Sequence, residues 1–438
     1  MLVIENILWL LVLIGVMILV HELGHYWVAR YFDVRIDTFS FGFGPRLWGF
    51  RRGETDFRIS LIPFGGYVKM AGEQTGDQAA DDPRSFLAKP RWQRLAIAFA
   101  GPMMNVVLAV ALLTGLFMYK YPKPLDTPDG AVVGHVVADS PAARAGVREG
   151  DRIVRFDDKS NPSWEDIFIK EFASANRSLP LVLERNGRTI NTHITPRLSE
   201  RTGIGYAGWS QEAEIQVTEV VPGMPAEKAG LRKGDLLLTI QGRPIKSLLK
   251  FHDEVRASEG KPVTIEILRD GQLQAITMQP VYPEAEKRWM IGVAADQRIA
   301  YVSLPLAQAL TQSVQQNVRG ATLIYEFLRG IVARRMSAKS IDGPIRIAQL
   351  SGDAAREGAY TYVHLMAAVS LNLAIINLLP IPVLDGGVIL MLLVEMILRR
   401  DLSIPVKEAV FKFGFVFLLM VMVFVIYNDI TKMIIPAG

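Results

Sequence analysis

Val20-His21-Glu22-Leu23-Gly24-His25 closes a run whose preceding 16 residues are nearly all apolar. On a helix, residues four apart share a face, so His21 and His25 can offer two imidazole nitrogens to one metal ion while Glu22 stands beside them as a candidate general base. Two chance histidines on a helix surface are the plainer alternative, but an apolar span tolerates such groups poorly unless they serve a site. The stretch therefore reads as a zinc-binding helix inside a membrane. A catalytic zinc usually takes three protein ligands and leaves a fourth position for water, so a third ligand is expected elsewhere.

Working outward, the 438 residues are 50% hydrophobic, and the mean hydropathy is +0.23. That is long enough for two or three domains and too apolar for a chain that is soluble throughout. The net charge of +4 is modest. Its basic residues are scattered without a dense stripe, which argues against nucleic-acid binding. There is no cysteine, so disulfides and thiolate metal sites are excluded, and a single zinc ion per chain has to use histidine and carboxylate. The first apolar run carries the histidines and lacks a basic leader and a small-residue cleavage site, so it is expected to be a retained span and no signal peptide.

Residues 5–31 are long enough to cross the hydrocarbon core, and His21 lies about 24 Å along that helix from Glu5, near its far interface. The loop 32–93 is rich in Arg and Lys, in contrast to an N-terminus with none, which predicts a cytoplasmic loop. Within it, Phe39–Pro45 and Phe57–Met70 alternate and are broken by glycines, predicting short hairpins whose edge can pair with an unwound substrate strand. A second span from Leu95 to Met118 contains Gly101-Pro102-Met103-Met104-Asn105. Its small residues suit close packing on the first helix, and Asn105 either lines the site or serves packing alone. Residues 1–127 are thus expected to form the first region.

From 128 to 282 the chain repeats itself: Val136-Val137-Ala138-Asp139-Ser140-Pro141-Ala142-Ala143-Arg144-Ala145-Gly146 answers Val220-Val221-Pro222-Gly223-Met224-Pro225-Ala226-Glu227-Lys228-Ala229-Gly230. The pattern resembles bacterial PDZ domains, expected here at 128–205 and 206–282, which implies capture of extended peptide segments or chain ends by strand addition. Gly203-Ile204-Gly205-Tyr206 precedes the second copy, where such domains often keep a terminus-binding loop. Residues 283–359 are expected to be a linker with an amphipathic helix on the membrane surface or against the core, bearing a basic patch at Arg329, Arg334, Arg335 and Lys339.

The apolar segment from Tyr360 to Leu398 is too long for one crossing. It breaks at Asn377-Leu378-Leu379-Pro380-Ile381-Pro382-Val383-Leu384-Asp385-Gly386-Gly387, where two prolines remove backbone donors and two glycines permit a turn. Irregular backbone at that depth is tolerated where it lines a polar cavity, so Asp385 is expected to be the missing ligand; capping the next helix is its plainer use. A fourth span over Val410–Ile426 completes the region 360–438.

With both motifs placed, the chain resembles the site-2 protease family of intramembrane zinc proteases, in its bacterial form with two PDZ domains. The resemblance rests on His-Glu-Leu-Gly-His in the first span, Asn372-Leu373 through Asn377 and Leu384-Asp385-Gly386 in the third, and the tandem repeat between spans two and three. It implies a polytopic α-helical membrane protein with four transmembrane helices, a small membrane-associated β-sheet and two α+β PDZ domains. It further implies zinc on His21, His25 and Asp385, with Glu22 activating the water. The substrate-binding positions it implies are Asn372, Asn377, Pro380 and Pro382 near the break, and Gly65, Gly66 and Tyr67 in the cytoplasmic loop. Substrates would be single-span membrane proteins of the anti-sigma factor type, and signal-peptide remnants. The setting would be the bacterial inner membrane, with PDZ domains and both termini periplasmic and the zinc site near the cytoplasmic side. A PDZ scaffold with a mere anchor would need neither the histidine motif nor Asp385, and a zinc transporter would have no use for Glu22 or peptide-binding domains.

Overall fold

The computed structural model describes residues 2–73, 82–124, 130–199, 203–284, 286–333, 341 and 343–434. The chain divides into two compact units, Met1–Lys120 with Ser303–Ile324 and Ile341–Pro436, and Tyr121–Val302 with Tyr325–Ser340. The first unit opens with helix α1 (Leu2–Tyr31), whose 30 residues make about 45 Å, ample for a ~30 Å hydrocarbon core. Leu13 and Met17 are buried on its inner side, while Leu8, Val12 and Leu19 are exposed, the distribution expected when lipid is the solvent. Strands β1 (Ile36–Arg52) and β2 (Thr55–Met70) follow. Ile36–Phe41 has Gly66–Met70 as partner on one side and Asp56–Ile59 on the other. Gly66–Met70 is therefore an outer stretch of the small sheet. Helix α2 (Arg91–Tyr119) carries Pro102 within it; this residue lacks the N–H that would bond the carbonyl of Ala98 and loosens that turn.

The second unit holds the repeat. Strand β3 (Tyr121–Pro124) leads into β4 (Ala131–Val136), the short helix α3 (Pro141–Arg144), β5 (Arg152–Phe156), β6 (Lys159–Ser160), α4 (Trp164–Phe172), β7 (Leu179–Arg185), β8 (Arg188–Ile194), β9 (Arg197–Leu198), β10 (Gly205–Tyr206) and β11 (Trp209–Gln211). The second copy runs β12 (Ile215–Val220), α5 (Pro225–Lys228), β13 (Leu236–Ile240), β14 (Arg243–Pro244), α6 (Leu248–Ala257), β15 (Val263–Arg269), β16 (Gln272–Met278) and β17 (Val293–Gln297), and β18 (Ile299–Val302) returns to pair with β3. Strand orders β11-β4-β5-β7-β8 and β17-β12-β13-β15-β16 are the same topology twice. This corrects the boundaries expected at 205 and 282. Trp209 pairs with Val136 and Ser210 with His135, so the segment around Gly203–Tyr206 closes the first copy and does not open the second. Likewise Val293–Gln297 closes the second. An α+β core fills each copy, with Phe156, Ile167 and Leu181 in one and Phe251, Ile240 and Ile265 in the other.

Helix α7 (Leu306–Val332), whose residues up to Ile324 belong to the first unit, is the amphipathic helix foreseen. Its first half packs on neighbours: Ser313 Oγ lies 2.7 Å from Thr114 Oγ1 of α2, and Ala309 and Asn317 are buried. The other side of this half leaves Leu306, Leu310, Val314 and Val318 exposed. Of the basic patch, Arg334, Arg335 and Lys339 lie outside the described residues. Helix α8 (Pro344–Glu357) is followed by α9 (Ala359–Leu378), α10 (Asp385–Leu398) and α11 (Ile404–Ile434). Asp429 of α11 accepts from the backbone N–H groups of Gly343, Ile345 and Arg346 at 2.8, 3.1 and 3.1 Å, capping α8 from outside. Among the described residues, four helices are long and apolar enough to cross a membrane: α1, α2, α9 and Ile404–Lys432 of α11.

One ion pair recurs in both copies. Arg185 holds the buried Asp151, and Arg269 holds the buried Asp235, each through two guanidinium nitrogens. Each aspartate also accepts the backbone N–H of the residue three before it. Arg269→Met should leave Asp235 charged and uncompensated, at a cost of about 3–5 kcal/mol. Calorimetry of the full chain should show the transition of the repeat region moved down; an unchanged transition would mean the pair is incidental.

Candidate metal centre

The histidine motif sits where α1 meets α2. His25 Nδ1 donates to the carbonyl of Ile97 at 2.8 Å, in the turn that Pro102 loosens. That bond puts the ring hydrogen on Nδ1 and leaves the Nε2 lone pair facing inward. His21 Nε2 lies 3.2 Å from His25 Nε2. Asp385, first residue of α10, completes the group with its carboxylate oxygens 3.1 Å from His21 Nε2 and 3.5 Å from His25 Nε2. The N-cap of α10 is Leu384, so the alternative use of Asp385 as a side-chain cap is not the one taken. The ligand atoms of His21, His25 and Asp385 all lie within 4.8 Å of one another.

These separations fit zinc. With metal–ligand bonds of about 2.0–2.1 Å, the edge of a tetrahedron is about 3.3 Å. Two imidazole lone pairs and a carboxylate brought this close repel one another unless a cation stands between them. A second observation concerns Asn105, which is fully buried with its Oδ1 lacking any partner. Its amide end lies 3.3 Å from His21 Nδ1. With Nε2 turned to a metal, His21 Nδ1 carries the hydrogen and needs an acceptor, and the amide oriented with its oxygen toward His21 supplies one. Ser370 of α9 donates to the Asn105 carbonyl at 2.9 Å, fixing that turn of α2.

Glu22 lies on the same helix turn, and Gly66 is pressed against it: a Cβ at 66 would stand 3.1 Å from Glu22 Cγ and 2.8 Å from Ile18 Cγ2. The outer stretch of the sheet therefore runs past the candidate base. Gly65 precedes it, and Tyr67 stacks on Phe43 with ring centres 6.1 Å apart. Asn372 lies half-buried on α9, two residues past Ser370, and Asn377 is in the last turn of that helix. Pro380 and Pro382 are in the connection from α9 to Asp385, the first exposed and the second half-buried.

Sequence reasoning passed over Gly101. A Cβ there would fall 2.2 Å from His25 Nε2 and 2.9 Å from His21 Cε1, so the two rings fit only against a bare backbone. The far end of α10 is also anchored. Glu395, 1% exposed, accepts from Lys407 Nζ at 2.7 Å and from Leu402 N at 3.0 Å. Beyond it, Asp401 accepts from Arg91 Nε and Arg94 Nη2 of α2 at 3.0 and 3.1 Å.

Comparison with known proteins gives the identity. The model of Peptidase family M50 matches residues 9–421. The chain belongs to this family. It is 32% identical to a Xylella fastidiosa protein named "Putative zinc metalloprotease", over 97% of this chain and 98% of that one. It is 30% identical to Regulator of sigma-E protease RseP of Salmonella typhimurium, over 98% and 100%. Among solved structures, the PDZ domain of an SdrC-like protein from Listeria monocytogenes aligns with 20% of this chain and 90% of its own, at 22% identity and a TM-score of 0.18. The protein is a zinc metalloendopeptidase of the site-2 type, built as a polytopic membrane protein with two PDZ-type domains.

Gly101→Ala should displace both rings and bring bound zinc well below one ion per chain. Gly115→Ala on the same helix has nothing within 4 Å of its new Cβ and should keep its metal. Plasma emission analysis of both purified variants checks this; zinc retained by Gly101→Ala would place the metal elsewhere.

Proposed function

We propose that this peptidase hydrolyses peptide bonds within or next to the transmembrane segment of single-span membrane proteins, of the anti-sigma factor type and among signal-peptide remnants. The observation that carries this reading is the convergence of His21, His25 and Asp385 beside Glu22 at the end of a membrane helix. These three residues would hold the zinc, which when bound supplies Lewis-acid polarisation of a carbonyl and lowers the pKa of water to about 7. Glu22 takes the proton from the attacking water and returns it to the leaving amine, a role that needs a carboxylate near the metal but off it.

A substrate helix hides its carbonyls in its own hydrogen bonds and has to be unwound before it can be cut. The outer stretch Gly66–Met70 runs alongside Glu22, and Gly65, Gly66 and Tyr67 are the positions assigned to receiving the unwound strand. Asn372 and Asn377 are assigned to holding the substrate from α9, with Pro380 and Pro382 shaping the connection that presents Asp385. The lipid bilayer is the second partner. The basic residues of the loop 32–93 support a reading in which that loop and the zinc site lie at the cytoplasmic face of the inner membrane, and the repeats and both termini on the periplasmic face.

Glu22→Gln should reduce cleavage of a tagged single-span substrate by several orders of magnitude while zinc stays at one per chain. Asp385→Asn should lower both, since a charged ligand is lost. Zinc loss in Glu22→Gln, or full activity in Asp385→Asn, would each overturn the assignment. For sidedness, the absence of native cysteine allows single replacements at the exposed Arg52 and Ser160. An impermeant maleimide applied to spheroplasts should label Ser160→Cys and spare Arg52→Cys; the reverse pattern would invert the topology.

A further inference from the structure

The two copies correspond position by position. Ala142 N donates to Ala207 O at 2.9 Å, and 84 positions on, Ala226 N donates to Ile291 O at 2.9 Å. Ser163 caps α4 as Ser247 caps α6. One face is nevertheless used differently. In the first copy, strand β4 receives the second copy directly: Glu212 N donates to Val132 O at 2.9 Å, and Ala213 N to Lys246 O at 2.8 Å. A Cβ at Gly134 would stand 2.5 Å from Gln211 O and 2.7 Å from Lys246 O, so only a residue without a side chain lets the turn into α6 approach this closely. The counterpart of Gly134 in the second copy is Thr218, which is exposed.

The next residue, His135, is 7% exposed and stands in this contact between two carboxylates. Its Nδ1 is 2.6 Å from Glu149 Oε1 of the first copy, and its Nε2 is 3.0 Å from Asp253 Oδ2 on α6 of the second. A carboxylate oxygen accepts, and a neutral imidazole carries a single ring hydrogen, so both contacts are hydrogen bonds only in the imidazolium form. Lys250, one turn before Asp253 on the same face of α6, donates to Glu149 Oε1 at 3.0 Å. Around these four groups, Lys250 also lies 3.7 Å from Glu254 Oε1, Arg243 donates to Glu254 at 3.2 Å, and Lys246 pairs with Glu212 at 2.9 Å. These pairs stay charged on both sides of the histidine range. Arg256, Tyr206 and His252 also stand near Asp253; burial pushes the Tyr206 hydroxyl up, and burial with Arg288 pushes His252 down.

We propose that His135 is a proton-operated clasp between the two copies: as the imidazolium it bridges Glu149 of the first to Asp253 of the second, and on losing a proton it lets the second copy loosen from the first. The reason is a count of hydrogens and charges. With the proton, His135 and Lys250 balance Glu149 and Asp253. Without it, two carboxylates face one ammonium, and a bare ring nitrogen meets a carboxylate oxygen, lone pair to lone pair. Closing uses both ring hydrogens, so closing and protonation favour each other: the contact is firmest in acid and weakens as pH rises. Burial works to raise the Glu149 carboxyl, but the hydrogen bonds from His135 and Lys250 outweigh it and hold the group below the usual carboxylate range, so it remains an acceptor across that interval. The second copy cannot repeat the device, because the counterparts of His135 and Glu149 there are Glu219 and Lys233, both exposed. The inference goes beyond the peptidase reading and stands apart from it.

The test uses the full chain in detergent micelles. It has no native cysteine, so Arg188→Cys and Gln272→Cys, at exposed and equivalent turns of the two copies, carry a nitroxide pair whose distance distribution is read by pulsed electron resonance. From about pH 5.5 to about pH 8.5, either side of the ordinary histidine range, one narrow distance should give way to a broader population. The fraction outside the narrow peak should rise roughly threefold or more, the size expected for a partly solvated charged contact. His135→Gln, which cannot donate from two nitrogens, should show the broad distribution at every pH. Asp253→Asn offers an amide that satisfies either form of the imidazole and should stay closed at every pH, so the proposal remains testable if His135→Gln folds poorly. His252→Gln should respond to pH as the native chain does. A native distribution that is unchanged with pH or opens in acid, a pH response kept by His135→Gln or by Asp253→Asn, or one lost in His252→Gln would each overturn the inference.

Discussion

Two imidazole nitrogens and a carboxylate meet within hydrogen-bonding distance at the end of an apolar helix, and much of the first unit's packing serves that meeting. In lipid no water is at hand to solvate such groups, so each one has to be oriented by the protein or by an ion. His25 is fixed by the carbonyl of Ile97, and His21 by a buried amide. Asp385 comes from a helix of only 14 residues, about 21 Å long and too short to cross alone. Its position depends on the break before it and on the Glu395–Lys407 pair and the Arg91 and Arg94 contacts at its other end. Polar groups at both ends of α10 thus bracket an apolar middle, and the metal centre inherits its geometry from that frame.

How far this was legible in sequence follows from what each signal encodes. The i, i+4 histidines, the proline- and glycine-rich break and the tandem repeat are local patterns, and each led to the element it marks. Gly101 was missed as a site residue because nothing local separates a glycine that makes room for two imidazoles from one that eases helix packing; the requirement exists only once α1 is laid against α2. The repeat boundaries were set too early for a related reason. A final strand of three residues, Trp209–Gln211, has no periodicity of its own and is defined by its partner Val136–Val133. Helix α7 shows its amphipathic pattern in sequence, but which side faces the protein depends on Thr114, on a helix nearly two hundred residues away.

The repeat region carries a second lesson about what duplication preserves. The buried Asp–Arg pair, the serine caps and the loop hydrogen bonds are held in both copies, and these are the features that each fold needs. Glu171 and Val255, at the same place in the two copies, differ: Val255 is accommodated in an apolar core, and Glu171 accepts from two N–H donors.

The central claim is that zinc is held by two histidines and one carboxylate inside the membrane unit. Zinc K-edge X-ray absorption on the purified, metal-replete chain tests it directly. The account predicts one ion per chain with a first shell of nitrogen and oxygen at about 2.0–2.1 Å and outer-shell scattering that requires two imidazole rings. A spectrum fitted by no imidazole, by one, or by three or more would contradict it.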